Sequence, residues 1–414
     1  MRSNLVSIQQ VKELKPIENA DKIEICILKG LGWNIIVRKD EVKVNDKVVF
    51  FEIDSALPTN DERYEFLRDS SYKRWMVKDK VVKDCFRLKT RKLRGVVSQG
   101  LVLPISIFEE LKDKNIGDDV TEILHVEHYD ELNEMYGRCS SGRGCTNIGQ
   151  PKSGFPSFIT KSDQTRIQSL MDYFEKYKDV EFTAEAKYDG SSCTVFMVDK
   201  KYNSDQFGVC SRNFNLKRPC QTKLDYIKEC LTINCYPYNF FKRWFKRFSK
   251  VYDLFFGEYQ SQTTNDYWNI INKCNLEEPM KMFFKETGRS IAFQGEYVGP
   301  GVNNNRDKYE DHHYFIYDVY DVDKQTYLDS KERHEIVNKL KSYNTKSIIE
   351  EVDTISDSIK IFQECDTLEK MLKYVDRKTL RGNKLEGVVF KSNNMSPYFS
   401  FKCINNKYLL DEKD

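Results

Sequence analysis

The chain has almost no net charge. Its 66 Lys and Arg stand against 64 Asp and Glu, a formal +2 at pH 7, so any site for a polyanion has to be a local patch. Long apolar runs are missing too, and none approaches the ~18 residues of a membrane span. The opening decapeptide, Met1 to Gln10, has no apolar core of the secretory-signal kind. No membrane association is therefore expected. The 12 cysteines include no Cys-x-x-Cys. The closest pairs, Cys139/Cys145 and Cys230/Cys235, lack a second pair or a well-spaced histidine, which argues against structural zinc. Their irregular spacing fits reduced thiols in an intracellular compartment, cytoplasmic or nuclear, better than a disulfide framework. Histidines number only five, and His125, His128, His312 and His313 have no partners at metal-ligand spacing. They read as surface or loop residues.

What is present is aromatic and globular. The 414 residues include 24 Tyr and 26 Phe, with 40% hydrophobic and 31% charged residues. That excludes disorder, collagen and coiled coil, and at ~150 residues per domain the length allows two or three domains. Ile23 to Leu28, Trp33 to Val37 and Val48 to Ile53 read as short strands. Leu93 to Leu103, interrupted by Gly95 and Gly100, reads as another pair. Such spacing predicts a small closed barrel over residues 1–130. A Gly/Ser-rich linker follows at 131–155, with Gly137, Gly142, Gly144, Gly149 and Gly154 close together. From 156 to 414 strands are predicted around 181–187, 192–198, 291–298, 313–320, 386–391 and 398–404. Helices are predicted at 165–177, 222–232, 330–341 and 367–376. Strands before, between and after helices make the whole α+β.

One stretch is strongly basic. Residues 217–250 hold nine Lys or Arg against Asp225 and Glu229. Phe241, Phe245, Phe248 and Tyr252 fall near one helical face, with Lys242, Arg243, Lys246, Arg247 and Lys250 on the others. A core-packing helix with a solvated basic side and a nucleic-acid-facing helix both satisfy that pattern.

The sharpest chemical signal is Glu185-Ala186-Lys187-Tyr188-Asp189-Gly190-Ser191-Ser192. A lysine at a strand end before an Asp-Gly turn is an amine held in a fixed place. Partial desolvation disfavours its charged form and makes it a usable nucleophile. Further pieces follow in order: Ser211-Arg212-Asn213, Gln294-Gly295-Glu296-Tyr297-Val298-Gly299-Pro300, Tyr314 to Tyr320, Leu385-Glu386-Gly387-Val388-Val389-Phe390-Lys391, and Ser400-Phe401-Lys402-Cys403-Ile404.

In this order they resemble motifs I, Ia, III, IIIa, IV and V of the covalent nucleotidyltransferases, the superfamily of ligases and mRNA capping enzymes. With Ile17 to Glu24, Arg94 to Leu101, and Lys161-Ser162-Asp163-Gln164-Thr165-Arg166-Ile167-Gln168, the resemblance narrows to ATP-dependent RNA ligases with an N-terminal OB domain. It covers nearly the whole chain outside an insert at about 215–285. It implies an N-terminal OB-like RNA-binding barrel followed by a ligase-type adenylyltransferase domain of antiparallel sheets and helices.

The resemblance also implies roles. Lys187 would attack the α-phosphorus of ATP and form lysyl-AMP, with Lys402 holding the α-phosphate. Glu296 and Glu386 would anchor Mg2+ or Mn2+, ribose or water. Glu185 would line the nucleotide site, Arg212 would touch sugar or phosphate, and Arg166 would meet the triphosphate or the RNA end. Phe315 or Tyr317 would stack on adenine. The AMP would pass to an RNA 5′-phosphate and a 3′-OH would displace it, most naturally at a nick in a duplex, in a monomeric enzyme. Two alternatives remain open at this point: a GTP-using mRNA guanylyltransferase and a non-catalytic RNA-binding protein. Lys391 reads equally as a site residue and as a solvated lysine.

Overall fold

The computed structural model describes residues 4–411 except 78–79, 137–148, 150, 220–264, 378–383 and 394–397. The basic-aromatic segment from residue 220 onward and the helix expected at 222–232 lie outside the described residues. The chain forms two compact units: Met1–Cys145 with Ser162–Asp189 and Val352–Asp414, and Thr146–Lys161 with Gly190–Glu351.

In the first unit the N-terminal strands run in the order Leu101–Pro104, Lys47–Phe51, Val6–Pro16, Ile23–Leu28 and Asn34–Arg38, antiparallel throughout. The sheet curls into a half-barrel. Beyond its far edge the Gln99 amide donates to the Asn34 carbonyl at 2.8 Å, and the Ile36 amide donates to Ser98 Oγ at 3.0 Å. Val48 and Phe50 pack inside with Trp33, Ile35 and Val102. Val49 and Phe51 pack on the outer face with Tyr64, Phe86 and Phe108. Both faces are covered, so the run Val48-Val49-Phe50-Phe51 is apolar at every position instead of alternating. A second sheet, Glu127–His128, Ser55–Leu57, Lys80–Arg87 and Tyr72–Val77, lies beyond the outer cluster.

The same unit contains a third sheet, in the order Thr165–Arg166, Ser400–Ile404, Gly387–Ser392, Phe182–Lys187 and Thr354–Ile359. The curled sheet is joined to it directly. Trp33 Nε1 donates to Ser169 Oγ at 3.1 Å, the Gly32 amide donates to the Gln168 carbonyl at 2.7 Å, and Gln99 Nε2 donates to Asn406 Oδ1 at 3.1 Å. Leu409, on the short helix Asn406–Leu410, packs against the Trp33 cluster.

The second unit is built on an eight-stranded sheet. Its main path runs Pro151–Gly154, Phe214–Leu216, Phe207–Cys210, Ser191–Met197, Ile291–Val298, His313–Asp321 and Thr326–Tyr327. Glu350–Glu351 pairs parallel with His313–Asp321. Helices Asp266–Cys274, Glu277–Thr287 and Ser330–Tyr343 bury Trp268, Met280, Phe283, Val337 and Leu340 against Val195, Phe293 and Ile316 of the sheet. Asn265 caps the first of these, accepting from the Trp268 amide at 2.9 Å.

The six strands expected between 181 and 404 all form, within two residues of their expected ends. The helices expected at 330–341 and 367–376 form as Ser330–Tyr343 and Leu368–Val375. The helix expected at 165–177 does not form as one element. Thr165–Arg166 is a strand paired in parallel with Phe401 and Lys402, followed by a 3-10 turn at Ile167–Ser169 and one helical turn at Tyr173–Lys176. The apolar spacing of Ile167, Leu170, Met171 and Phe174 imitates a helix, but a sheet edge takes the backbone before it can coil. Regular structure enters both ends of the stretch expected as linker, as the helix Tyr129–Tyr136 and the strand Pro151–Gly154. Among the described residues no helix is long and apolar enough to cross a membrane.

Candidate active site

The third sheet of the first unit sorts its side chains by period two. Lys187 lies opposite Gly387, Glu185 opposite Val389 and Thr183 opposite Lys391. Val389 in turn lies opposite Lys402, and Lys402 beside Arg166. Directly paired residues share a face, so Lys187, Glu185, Lys391, Lys402 and Arg166 all belong to one side. The other side is apolar. There Phe182, Phe362 and Phe390 surround Phe401 with ring centroids 5.0–5.5 Å away. An aromatic floor thus fixes five charged side chains on the opposite surface.

Glu386 stands at the start of its strand and meets Lys187 with both oxygens, at 2.7 and 2.8 Å from Nζ. The lysine side chain keeps 27% of its surface exposed, against 15% for the glutamate. Burial pushes the Glu386 carboxyl above its ordinary range, opposed by Lys187 and reinforced by Asp189. A carboxyl with that bias can accept a proton from the amine it faces. No side chain fits between them and the next strand: a Cβ on Gly387 would stand 2.5 Å from the Cys403 carbonyl oxygen. The turn after the lysine is pinned at both of its next residues. The Tyr188 hydroxyl donates to Asp353 at 2.6 Å, and the Tyr408 hydroxyl donates to Asp189 at 2.7 Å. Lys402 faces Asp163 at 3.4 Å.

Glu185 and Lys391 form a buried ion pair at 2.7 Å, with side chains 1% and 2% exposed. Lys391 is therefore not a solvated lysine. Breaking such a pair leaves a charge in a poor solvent. Lys391→Met is expected to lower unfolding free energy by ~3–5 kcal/mol, and the double variant Glu185→Leu/Lys391→Met to recover most of the loss. Chemical denaturation monitored by fluorescence measures both.

In the second unit a different group converges. Ser192, Glu296 and Phe315 lie side by side across three strands. Glu296 accepts from the Gly190 amide at 3.0 Å, and Asn303 Nδ2 donates to the Gly190 carbonyl. A Cβ at Gly190 would collide with the Tyr297 carbonyl and the Glu296 side chain, so the turn and the strand approach closely only with glycine there. The Tyr317 hydroxyl meets Ser192 Oγ at 3.4 Å. Burial pushes the Tyr317 phenol upward, and Glu296 adds to this while Arg212 opposes it. Both charged groups therefore act on that ring. Phe315 is 7% exposed. The ring of His313, expected as a surface or loop residue, stacks parallel to it at 5.6 Å.

The RNA ligase family model matches residues 180–404, more than half of the chain, and an OB-fold domain model matches residues 5–105. The chain belongs to the RNA ligase family. A Naegleria gruberi RNA ligase solved with AMP and Mn is 29% identical over 99% of both chains, with a TM-score of 0.74. The same ligase with ATP and Mn is 28% identical over 99% of both chains, at 0.73. With PPi it is 30% identical over 98% of both, at 0.72. No curated protein matches.

In this RNA ligase the sequence motifs fall on two sets. Lys187, Glu185, Glu386, Lys402 and Arg166 belong to the first unit, and Arg212, Glu296, Phe315 and Tyr317 to the second. Sequence reasoning did not reach Tyr408, Asp353 or Asn303, which hold the lysine turn, nor the Asp54 carboxylate, which takes Arg166 at 2.8 Å. None sits in a recognisable motif, and each meets its partner more than a hundred residues away.

Proposed function

We propose that this RNA ligase uses ATP to seal RNA 3′-OH and 5′-phosphate ends, most naturally at a nick, through lysyl-AMP and RNA-adenylate. The observation that carries the reading is the Lys187–Glu386 pair on a face shared with Lys402 and Arg166. Lys187 Nζ attacks the α-phosphorus after its proton moves to Glu386 or water. The bond from that phosphorus to the bridging oxygen breaks, and pyrophosphate leaves with the electron pair. Lys402 and Arg166 bring positive charge to the phosphates, and Arg212 contacts sugar or phosphate. Phe315 or Tyr317 offers the adenine an aromatic surface. The bound AMP then moves to the RNA 5′-phosphate, and the 3′-OH displaces it.

A hard divalent cation such as Mg2+ or Mn2+ suits this site. Among the described residues no three His, Cys, Asp or Glu side chains form a metal cage. Such ions commonly take one or two carboxylates and fill the rest with water and phosphate oxygens. Glu386 and Glu296 are the carboxylates that would serve, and the ion would neutralise charge developing on the phosphates. The N-terminal domain, residues 1–130, would bind the RNA. The seven described cysteines are free and buried, which suits a reducing intracellular setting. The reading has a direct check with α-labelled nucleotides. ATP should label the polypeptide, GTP should not, and the labelled protein should seal a nicked duplex without added ATP. Labelling by GTP alone would instead indicate a guanylyltransferase.

A further inference from the structure

Asp54 sits on the N-terminal side of the first unit, just past the strand Lys47–Phe51, with φ +67°. Its backbone is pinned twice: its amide donates to the Leu88 carbonyl at 2.8 Å, and its carbonyl accepts from the Tyr129 amide at 2.9 Å. Left-handed backbone at a residue other than glycine is uncommon, although Asp and Asn tolerate it best. If the turn alone mattered, glycine would serve. The carboxylate instead takes Arg166 Nη2 at 2.8 Å and stands 3.5 Å from Arg87. Arg87 is itself held over the Tyr129 ring at 4.1 Å.

The Arg166 guanidinium is therefore gripped on one side. Its other terminal nitrogen, Nη1, is buried and has no hydrogen-bond partner among the described residues. A buried donor left unmade costs ~1–3 kcal/mol, and such a group in a native structure calls for an explanation, of which a catalytic role is one. Arg166 lies beside Lys402 in strand register, and the charge of Lys402 acts on Glu386, the partner of Lys187. Glu52 reports the same neighbourhood from the N-terminal side. It accepts from Ser169 Oγ at 2.9 Å, and burial raises its carboxyl while Arg166 and Lys402 oppose the rise.

We infer that Asp54 is a positioning residue for the adenylylation of Lys187: it fixes Arg166 by Nη2 so that Nη1 is presented to an oxygen of the nucleotide's triphosphate. The inference rests on the ligase reading above and extends it, because it gives the N-terminal domain a part in the first chemical step. Arg166 would stabilise the charge that passes to pyrophosphate as the α-phosphorus changes partner from the bridging oxygen to Nζ.

The test uses the full-length protein with Asp54→Asn, which keeps the side-chain shape and tolerates the same backbone. Two rates are compared. One is single-turnover formation of lysyl-AMP across a range of ATP concentrations. The other is sealing of a pre-adenylylated RNA strand without ATP, which involves no triphosphate. The variant should form lysyl-AMP about 10–100-fold more slowly, the scale expected when a binding group is misplaced. Removal of AMP from the adduct by added pyrophosphate should slow in proportion. Sealing of the pre-adenylylated strand should stay within about threefold of wild type, since Arg166 there has no triphosphate to hold. Asp54→Glu, which restores the charge, should recover part of the first rate. An unchanged first rate would overturn the inference. Equal losses in both rates would also overturn it, because they mark a clamp that only holds the fold. If wild-type protein forms no adduct at all, the ligase reading fails instead, so the two failures are distinct.

Discussion

Lys187→Ala protein incubated with α-labelled ATP and a divalent cation should carry no label, while wild-type protein in the same gel should. Nothing replaces the lost atom. The face holds two other lysines, but Lys391 is paired with Glu185 and 2% exposed, and Lys402 lies on a different strand facing Asp163. Lys187→Arg should fail as completely, since a guanidinium stays protonated at any working pH with a pKa above ~12. The fold should persist in both. Lys187 keeps 27% of its side chain exposed, and the buried Glu386 carboxyl, already biased upward, takes up a proton in its absence instead of holding an unpaired charge. A thermal melt close to wild type, beside an empty lane on the gel, is the expected combination. Label at wild-type yield in Lys187→Ala would place the nucleophile elsewhere.

Glu386→Gln is the second large effect. The amide keeps the shape of the carboxyl but cannot take a proton from the amine. Adenylylation should fall by ~10^2–10^4, the range of general acid–base catalysis. The pH dependence gives the sign. Burial raises the Glu386 carboxyl, so as pH falls it protonates sooner than an ordinary glutamate at ~4.3. The wild-type rate should therefore drop along an acid limb lying above that value. The limb belongs to the Lys187–Glu386 pair as a unit. It should be absent in Glu386→Gln, whose rate is lower and climbs steadily with pH instead, as water takes the proton and more of Lys187 becomes free amine. An acid limb unchanged in the variant would assign the proton transfer to another group. Rates of lysyl-AMP formation between pH 5 and 9 decide the matter.

How much of this was legible in the sequence depends on how local each feature is. Lys187 at a strand end and the apolar run Val388-Val389-Phe390 are carried by neighbouring residues, and both strands form where expected. The curled N-terminal sheet was visible for the same reason, in strand-length apolar runs broken at Gly95 and Gly100. Arg166 was found by its motif, but its backbone was misread. Its strand is only two residues long and exists because Phe401 and Lys402 lie beside it, 236 positions along the chain. Lys391 looks solvated in sequence because nothing nearby reveals that Glu185, 206 residues earlier, will be buried beside it. Asp54 offered no signal at all. A lone aspartate in a turn is ordinary, and its meaning comes from a guanidinium 112 residues away.

That reach has a temporal side. Phe182–Lys187 is flanked by Thr354–Ile359 and Gly387–Ser392, and 199 residues separate Lys187 from Glu386. At ~5–20 residues per second of translation, the lysine leaves the ribosome about 10–40 s before its carboxylate partner. Until Ile359 has been made the strand has neither neighbour, and throughout the interval the amine has only water, not its carboxylate, to take its proton. On the proposed reading a growing chain is therefore slow to react with nucleotide, and efficient adenylylation waits until both flanking strands have been made.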